Sequence, residues 1–395
     1  YFSESPYALW SDVFLQPDRI GLSRTQNSLL WYIHPRYNDI SYRGEQEFHA
    51  GYAMIEFPVT RQLTLMVGAR AEQTRMVVDP RSDMDEFVPR QAYLVPVQNT
   101  IVNPVTGQTT YYYTIEGVPR ERAQAEIHDA RWLPAASLTY EVLPGLKFRG
   151  AWSRTIARPT FLEIAPIITF DYIENETVIG NRDLVLASLT NYDARIEYLG
   201  RASEVYAISW FRKEIAHPIE KESFGYLSTD YLLTINYPSG DLSGIEAEFQ
   251  RKLDFLPWPG RHLTLKVNYT RIYSEVVIPE NQRISLAIHG IDRETRAMEG
   301  QPKYLFNAGL MADFESWGTS LGLFYNVKGD TLKSGAAVGE TGARPDIYTL
   351  RQGTLNLTVN QKLGTRFTVG LRLSNLTEES PVEVYRVAGR PDVLR

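Results

Sequence analysis

The stretch Leu146 to Arg154 alternates without a break. Leu146, Phe148, Gly150 and Trp152 fall on one side, and Lys147, Arg149, Ala151 and Ser153 on the other. Side chains of a strand point to opposite faces with period two, so this is a strand with one apolar and one charged face. Pro159 ends the pattern: it has no N–H for a ladder, and it biases Arg158 toward extended or turn geometry. A chain made of such segments must fold as a sheet that meets two different environments.

The pattern recurs along the chain. Phe48–Ile55, Leu63–Glu72, Leu133–Glu141, Leu146–Arg154, Asn191–Tyr198 and Glu204–Arg212 share it. So do Leu242–Lys252, His262–Arg271, Tyr304–Phe314, Thr319–Val327, Gly353–Gln361 and Arg366–Leu376. That makes twelve strands in six hairpins, with 4 to 9 residues inside each hairpin and roughly 24 to 57 between hairpins. A further hairpin, Gln91–Asn99 with Thr109–Ile115 around the turn-rich Asn103–Gly107, is predicted inside the longest connection, residues 75–131. Tyr1 to Glu47 carries three prolines and no sustained period, so irregular structure is expected there. No segment holds a helical period.

Composition narrows the environments. Hydrophobic residues make up 43% and aromatics 12% of 395 residues, which excludes disorder by composition. A net charge of −6 leaves no electrostatic footprint for nucleic acid. There is no cysteine, hence no disulfide, thiolate metal site or Cys nucleophile. No window has the 18 apolar residues of a membrane helix. A membrane strand needs only every second residue apolar, so it is compatible with a mean hydropathy of −0.28.

A soluble sandwich also alternates, but its strands usually run about 5–6 residues. Strands that cross hydrocarbon need about 9–11. An up-and-down outer-membrane barrel also puts short turns at one end and long loops at the other. The expected fold is therefore all-β: a transmembrane antiparallel up-and-down β-barrel. Leu65, Val67, Ile196, Val267 and Leu371 are assigned to lipid, and Tyr52, Tyr140, Trp152, Tyr198 and Tyr269 to the interfacial girdles. Arg70, Glu72, Lys147, Arg149, Asp193, Arg195, Glu197, Glu246, Glu248, Lys266, Asp313 and Arg372 are assigned to the lumen.

Several motifs then appear in a fixed order. Ser153–Pro166 reads SRTIARPTFLEIAP, followed by GNRDL at Gly180, TNYDARIEY at Thr190, AISWFRKEIAHPIE, SGIEAEFQRKLDFLP and RLSNLTEESP. This series resembles the TonB-dependent outer-membrane receptors. Val185-Leu-Ala departs from the Lys-Pro-Glu usual after GNPDL. The resemblance implies a 22-stranded barrel with an N-terminal plug that carries the TonB box, of which this chain would supply twelve to fourteen strands and no plug. Residues 1–395 are thus expected to be one domain, the C-terminal portion of the barrel, truncated at both ends. The resemblance also implies outer-membrane lipid as a partner, import of a siderophore, cobalamin or oligosaccharide, and energy from TonB–ExbB–ExbD acting through the plug. A passive porin-like or structural barrel is the alternative. The motif residues Arg158, Pro159, Glu163, Gly180, Asn181, Asn191, Tyr192, Asn375 and Leu376 are expected to be structural, with Arg158 and Glu163 as an ion pair fixing the loop exit.

Chemistry beyond binding finds no support in the sequence. The six histidines lack metal-ligand spacing, and there is no G-x-S-x-G, P-loop or G-x-G-x-x-G. Asp79, Asp83, Asp85 and Glu86 read as a solvated acidic loop rather than a Ca²⁺ site. No enzyme activity, metal or cofactor is expected. Ligand contact is assigned to loop tyrosines, Tyr111, Tyr112, Tyr113, Tyr172, Tyr226 and Tyr231, because exposed aromatics offer rigid binding surface. Packing of loop against loop is the competing role for the same rings.

Overall fold

A computed structural model describes residues 40–82, 93–102, 107, 109–171, 176–200, 204–227, 229–339, 342–387 and 389–394. The chain divides into two compact units, residues 1–41 with 81–91 and residues 42–80 with 92–395. Nearly all of the sheet structure lies in the second unit. Tyr172, and most of the stretch expected to be irregular at the N-terminus, lie outside the described residues.

The strands number β1 to β25 in chain order. Twelve of them form one antiparallel wall: β1 (Ile40–Pro58), β2 (Leu63–Ser82), β5 (Ala125–Leu143), β6 (Leu146–Ala157), β9 (Ala187–Leu199) and β10 (Val205–Ala216), then β13 (Ser239–Lys252), β14 (Leu263–Val277), β16 (Tyr304–Phe314), β17 (Thr319–Lys328), β22 (Gln352–Leu363) and β23 (Phe367–Leu373). Each pairs with the one before it among these twelve, the meander the alternation predicts. The two-residue β15 (Thr295–Arg296) joins the end of β14.

Register carries the apolar face from strand to strand. Phe148 pairs with Ile196, Ile196 with Ile208, and Ile208 with Ala247. Ile196 and Ile208 are 55% and 63% exposed, far too open for the core of a soluble sheet. Val67 and Leu371 are exposed in the same way. Aromatic rings bound this band. Tyr198 and Tyr206 stand 6.1 Å apart and Tyr206 meets Phe249 edge-on at 5.3 Å. Six residues along β9, roughly 20 Å of strand, Tyr192 pairs with Trp152. At a strand tilt of about 35–45° this is about 15 Å along the membrane normal, within the roughly 25 Å apolar band of an outer-membrane barrel.

Three expectations need correcting. The wall strands reach 19 or 20 residues in β1, β2 and β5, against the 8 to 12 expected. The β2–β5 ladder runs on to Val78 and Ala125, where Met76, Val78, Ala125 and Ile127 are buried. That extension leaves the membrane-like alternation, so it reads as loop in the sequence. A nine-residue helix, Glu280–Ile288, also forms where no helical period was found. Its buried positions are Gln282, Ser285 and Leu286, two of them polar, so its inner face is invisible to a hydrophobic pattern.

The long connections are folded too. The hairpin β3 (Tyr93–Val102) with β4 (Thr109–Val118) stands where it was predicted. A six-stranded sheet takes the order β20 (Gly342–Arg344), β19 (Ala337–Gly339), β11 (Ile219–Tyr226), β12 (Thr229–Asn236), β8 (Glu176–Ile179), β7 (Ile168–Asp171). A four-stranded sheet joins β18 (Thr331–Ser334), β21 (Asp346–Thr349), β24 (Glu383–Arg386) and β25 (Val393–Leu394). The first of these rests on an apolar cluster of Ile179, Phe224, Leu233, Ile235, Tyr237, Val276 and Met298. Val276 belongs to β14, so the cluster welds this platform to the wall.

Candidate functional site

The inward face of the wall carries a chain of ion pairs. Arg149 on β6 lies opposite Arg195 on β9 in register. Two neighbouring guanidinium groups repel, and Glu197 answers both: its Oε1 accepts from Arg149 at 2.8 Å and its Oε2 from Arg195 at 2.9 Å. Arg195 then grips Glu248 on β13 with two bonds, of 2.9 and 3.0 Å, and donates to Ser209 on β10 at 3.0 Å. The assignment of these residues to the lumen agrees with this geometry.

The motif residues hold the points where strands leave the wall. Arg158 pairs with Glu72 on β2 and donates to Thr74 at 3.1 Å, and does not pair with Glu163 as expected. Glu163 has another task. Thr160 and Glu163 make a reciprocal capping box at the four-residue helix Phe161–Ile164, with Thr160 N–H donating to Glu163 Oε2 at 2.6 Å. Pro159 is buried beside it.

Gly180 has no room for a side chain, since a Cβ there would collide with the carbonyl of Ala165. Asn181 receives Asp183 N–H on its side-chain oxygen at 3.0 Å and donates its amide to Thr234 O at 3.0 Å. Asn236 pairs with both the N–H and the carbonyl of Val185, at 2.8 and 3.0 Å, where the usual Lys-Pro-Glu is missing.

Asn191, buried in β9, donates to Ser153 O and Thr155 Oγ1 on β6 and accepts from Lys213 Nζ on β10 at 3.0 Å. Tyr192 takes the opposite face, in register with Trp152. Asn375 sits at φ 52°, a left-handed conformation that asparagine tolerates. Its N–H donates to Asn356 Oδ1 at 3.0 Å, while Leu376 N–H reaches Leu355 O at 2.7 Å.

The loop tyrosines divide. Tyr113, Tyr226 and Tyr231 pack on the apolar cluster. Phe224 stacks on Tyr231 at 5.5 Å and meets Tyr113 at 5.1 Å. Tyr112 remains exposed, and the Tyr111 carbonyl accepts from Ser285 at 3.3 Å.

Beneath these rings lies a buried polar knot that the sequence did not reveal. Arg296 is 5% exposed. It donates to Glu220 at 3.0 Å, pairs with Glu299 at 3.4 Å and lies 4.8 Å over the Tyr237 ring. Tyr237 donates to Gln282 at 2.7 Å, and Tyr113 bonds Glu222. Burial pushes Glu222 and Glu299 up to about 7, only partly offset by Arg296. Glu220 is raised for the same reason. Its members are scattered from residue 113 to residue 299, so no local spacing signals it.

A cavity of about 480 Å³ opens on the platform, lined by Ser223, Asp230, Arg344, Tyr385, Arg390 and Val393 among others. Arg344 donates to Ser223 Oγ at 2.5 Å and stands 3.8 Å from Asp230. Its size fits a small-molecule site of about 300–1,000 Å³. Among the described residues no group of three or more His, Asp or Glu is placed to hold a metal ion.

Residues 7–376 match the family described as TonB dependent receptor-like, beta-barrel. The chain belongs to the TonB-dependent receptor β-barrel family. That family is one of outer-membrane transport receptors. Among solved structures, the chain is similar to the ferric-catecholate import receptor Fiu of E. coli K12. The match has 13% identity and a TM-score of 0.53, covering 86% of this chain and 42% of that one. It is also similar to the ferric yersiniabactin uptake receptor FyuA of Yersinia pestis, at 13% identity and a TM-score of 0.53, covering 89% of this chain and 44% of that one. At such identity the likeness concerns the fold, and the chain spans less than half the length of either receptor. No curated protein sequence matches it.

Proposed function

We propose that this chain is barrel wall and extracellular platform of an outer-membrane receptor that binds a scarce ligand and imports it with energy coupled through TonB. The observation that carries the proposal is the asymmetry of the wall. One face is apolar and exposed, the other is a linked set of ion pairs, and the long connections at one end fold into sheets with a cavity. A lipid-spanning strand needs the first feature and an aqueous or protein-filled interior the second.

The ligand is a siderophore, cobalamin or oligosaccharide. Siderophores come first for testing because Fiu is named as a ferric-catecholate import receptor and FyuA as a ferric yersiniabactin uptake receptor. Tyr111 and Tyr112 are the ligand-contacting tyrosines we retain from the loops, together with the Arg344–Tyr385–Arg390 cavity, whose guanidinium groups suit an anionic ligand. Tyr113, Tyr226 and Tyr231 contribute by shaping the platform. Energy coupling runs through a plug and the TonB–ExbB–ExbD system.

The test is uptake of labelled ferric siderophores, cobalamin and oligosaccharides by cells with and without the full-length receptor, in the presence and absence of TonB. Accumulation that needs both supports the proposal. Accumulation that survives loss of TonB would make this a passive pore.

A further inference from the structure

The connection between β13 and β14 breaks the rule the other short turns obey. Two to five residues suffice at β1–β2, β5–β6, β9–β10, β16–β17 and β22–β23, whereas Leu253–His262 takes ten. Its sequence, LDFLPWPGRH, is apolar where a water-facing turn is polar. Phe255 is 63% and Trp258 57% exposed. These rings do not point into the lumen. Register puts Phe314 on the outward side, two residues beyond Ala312, which pairs with Leu263 and Leu321. Trp317 stacks on Phe314 at 5.2 Å, and Trp258 meets Trp317 edge-on at 5.7 Å. Phe255 lies 5.0 Å beneath the guanidinium of Arg251, also an outward position. Exposed Arg261 and Arg366 stand in these turns beside exposed Asp254 and Glu315, while register turns Lys252 and Lys362 to the inward side.

We propose that this turn is a lip that docks on the phospholipid leaflet at the short-turn end of the wall. Trp258, Trp317 and Phe255 lie at the boundary of head group and acyl chain, and Arg261 and Arg366 reach lipid phosphates. One observation selects lipid over a protein partner. The aromatic cluster continues the outward, apolar face of β13 to β17. Trp is favoured at this depth because its ring is amphipathic, and Lys and Arg reach from it toward phosphate. The inference rests on the proposed outer-membrane function.

The experiment uses the full-length receptor, with any cysteine outside this chain replaced by serine, in vesicles of phosphatidylethanolamine and phosphatidylglycerol. The chain itself has no cysteine, so Trp258→Cys, Phe255→Cys and Ile208→Cys each place one nitroxide label. Collision with oxygen is compared with collision with a water-soluble nickel chelate. The expected result is oxygen exceeding nickel at 208, and again, at shallower depth, at 258 and 255. Nickel exceeding oxygen at 258 and 255, with 208 still in lipid, overturns the lip and leaves the barrel reading intact. Low access of both reagents at 258 and 255 overturns it as well, since the turn would then be covered by protein. Nickel exceeding oxygen at 208 would overturn the membrane reading on which the lip rests.

Discussion

Glu222 is the residue with the clearest consequence. Burial holds its carboxyl at about 7 against an ordinary 4.5, and Glu299 behaves alike. Between those values the folded platform keeps a proton that the unfolded chain releases. Its stability therefore falls as pH rises from about 4.5 to about 7, by up to about 1.4 kcal/mol per pH unit for each group, and levels off above. Amide exchange of Leu232 and Leu233, corrected for the intrinsic rate, should show stronger protection at about pH 5 than at about pH 8. Glu222→Gln should flatten part of that slope, and equal protection at both pH values would refute the assignment.

Gly180→Ala tests a different constraint at the same scale. The clash with the Ala165 carbonyl should cost about 1–3 kcal/mol or more and expose residues 158–187 to limited proteolysis. Unchanged cleavage would show that the connection can yield. The glycine and its neighbours were legible in the sequence as a motif, but their partners were not. Arg158 looked like a mate for nearby Glu163, because chain distance is all a sequence offers. The pairing with Glu72, 86 positions away, exists only once β2 and β6 are brought to opposite flanks of β5.

At the scale of the strand, the wall was legible almost completely. Alternation with period two is both a sequence pattern and the physical rule for facing lipid and lumen, so twelve strands were placed in the right order. The ends of β2 and β5 were lost because beyond the membrane the rule changes. The helix Glu280–Ile288 was lost because Gln282 and Ser285 bury polar side chains. The facing has a direct test. Ile208 sits between the aromatic rows at Tyr206 and at Tyr192, whose partner on β10 is Arg212. Ile208→Lys should cost about 2–4 kcal/mol, the penalty near a bilayer midplane, measured by unfolding of the full-length receptor from vesicles. Ile208→Val should cost about 0.5–1.5 kcal/mol. Equal effects of the two would mean that the residue does not meet hydrocarbon.

At the scale of the molecule, the wall path among the described residues ends at β1 on one side and β23 on the other. A sheet edge in hydrocarbon leaves backbone N–H and C=O groups without partners, at several kcal/mol each. The 395-residue chain added alone to planar bilayers should therefore give no stable stepwise conductance, and regular steps would show that these strands close by themselves. The proposed binding surface was the least legible level. The cavity draws on β11, β12, β20, β24 and β25, and the tyrosines that look exposed in the sequence are partly spent on packing.

The buried knot makes the long connections interdependent. Tyr113 comes from one long connection, Glu220 and Glu222 from a second, Gln282, Arg296 and Glu299 from a third, and Gly335, which bonds Glu299 at 3.0 Å, from a fourth. A loop transplanted from another receptor would arrive without its counter-charge and leave the others with a buried, unmatched one. If the platform selects the ligand as proposed, its specificity cannot be swapped in single modules. Under the proposed function, a change that retunes the ligand has to spare the knot, which leaves exposed positions such as Tyr112 and Arg390.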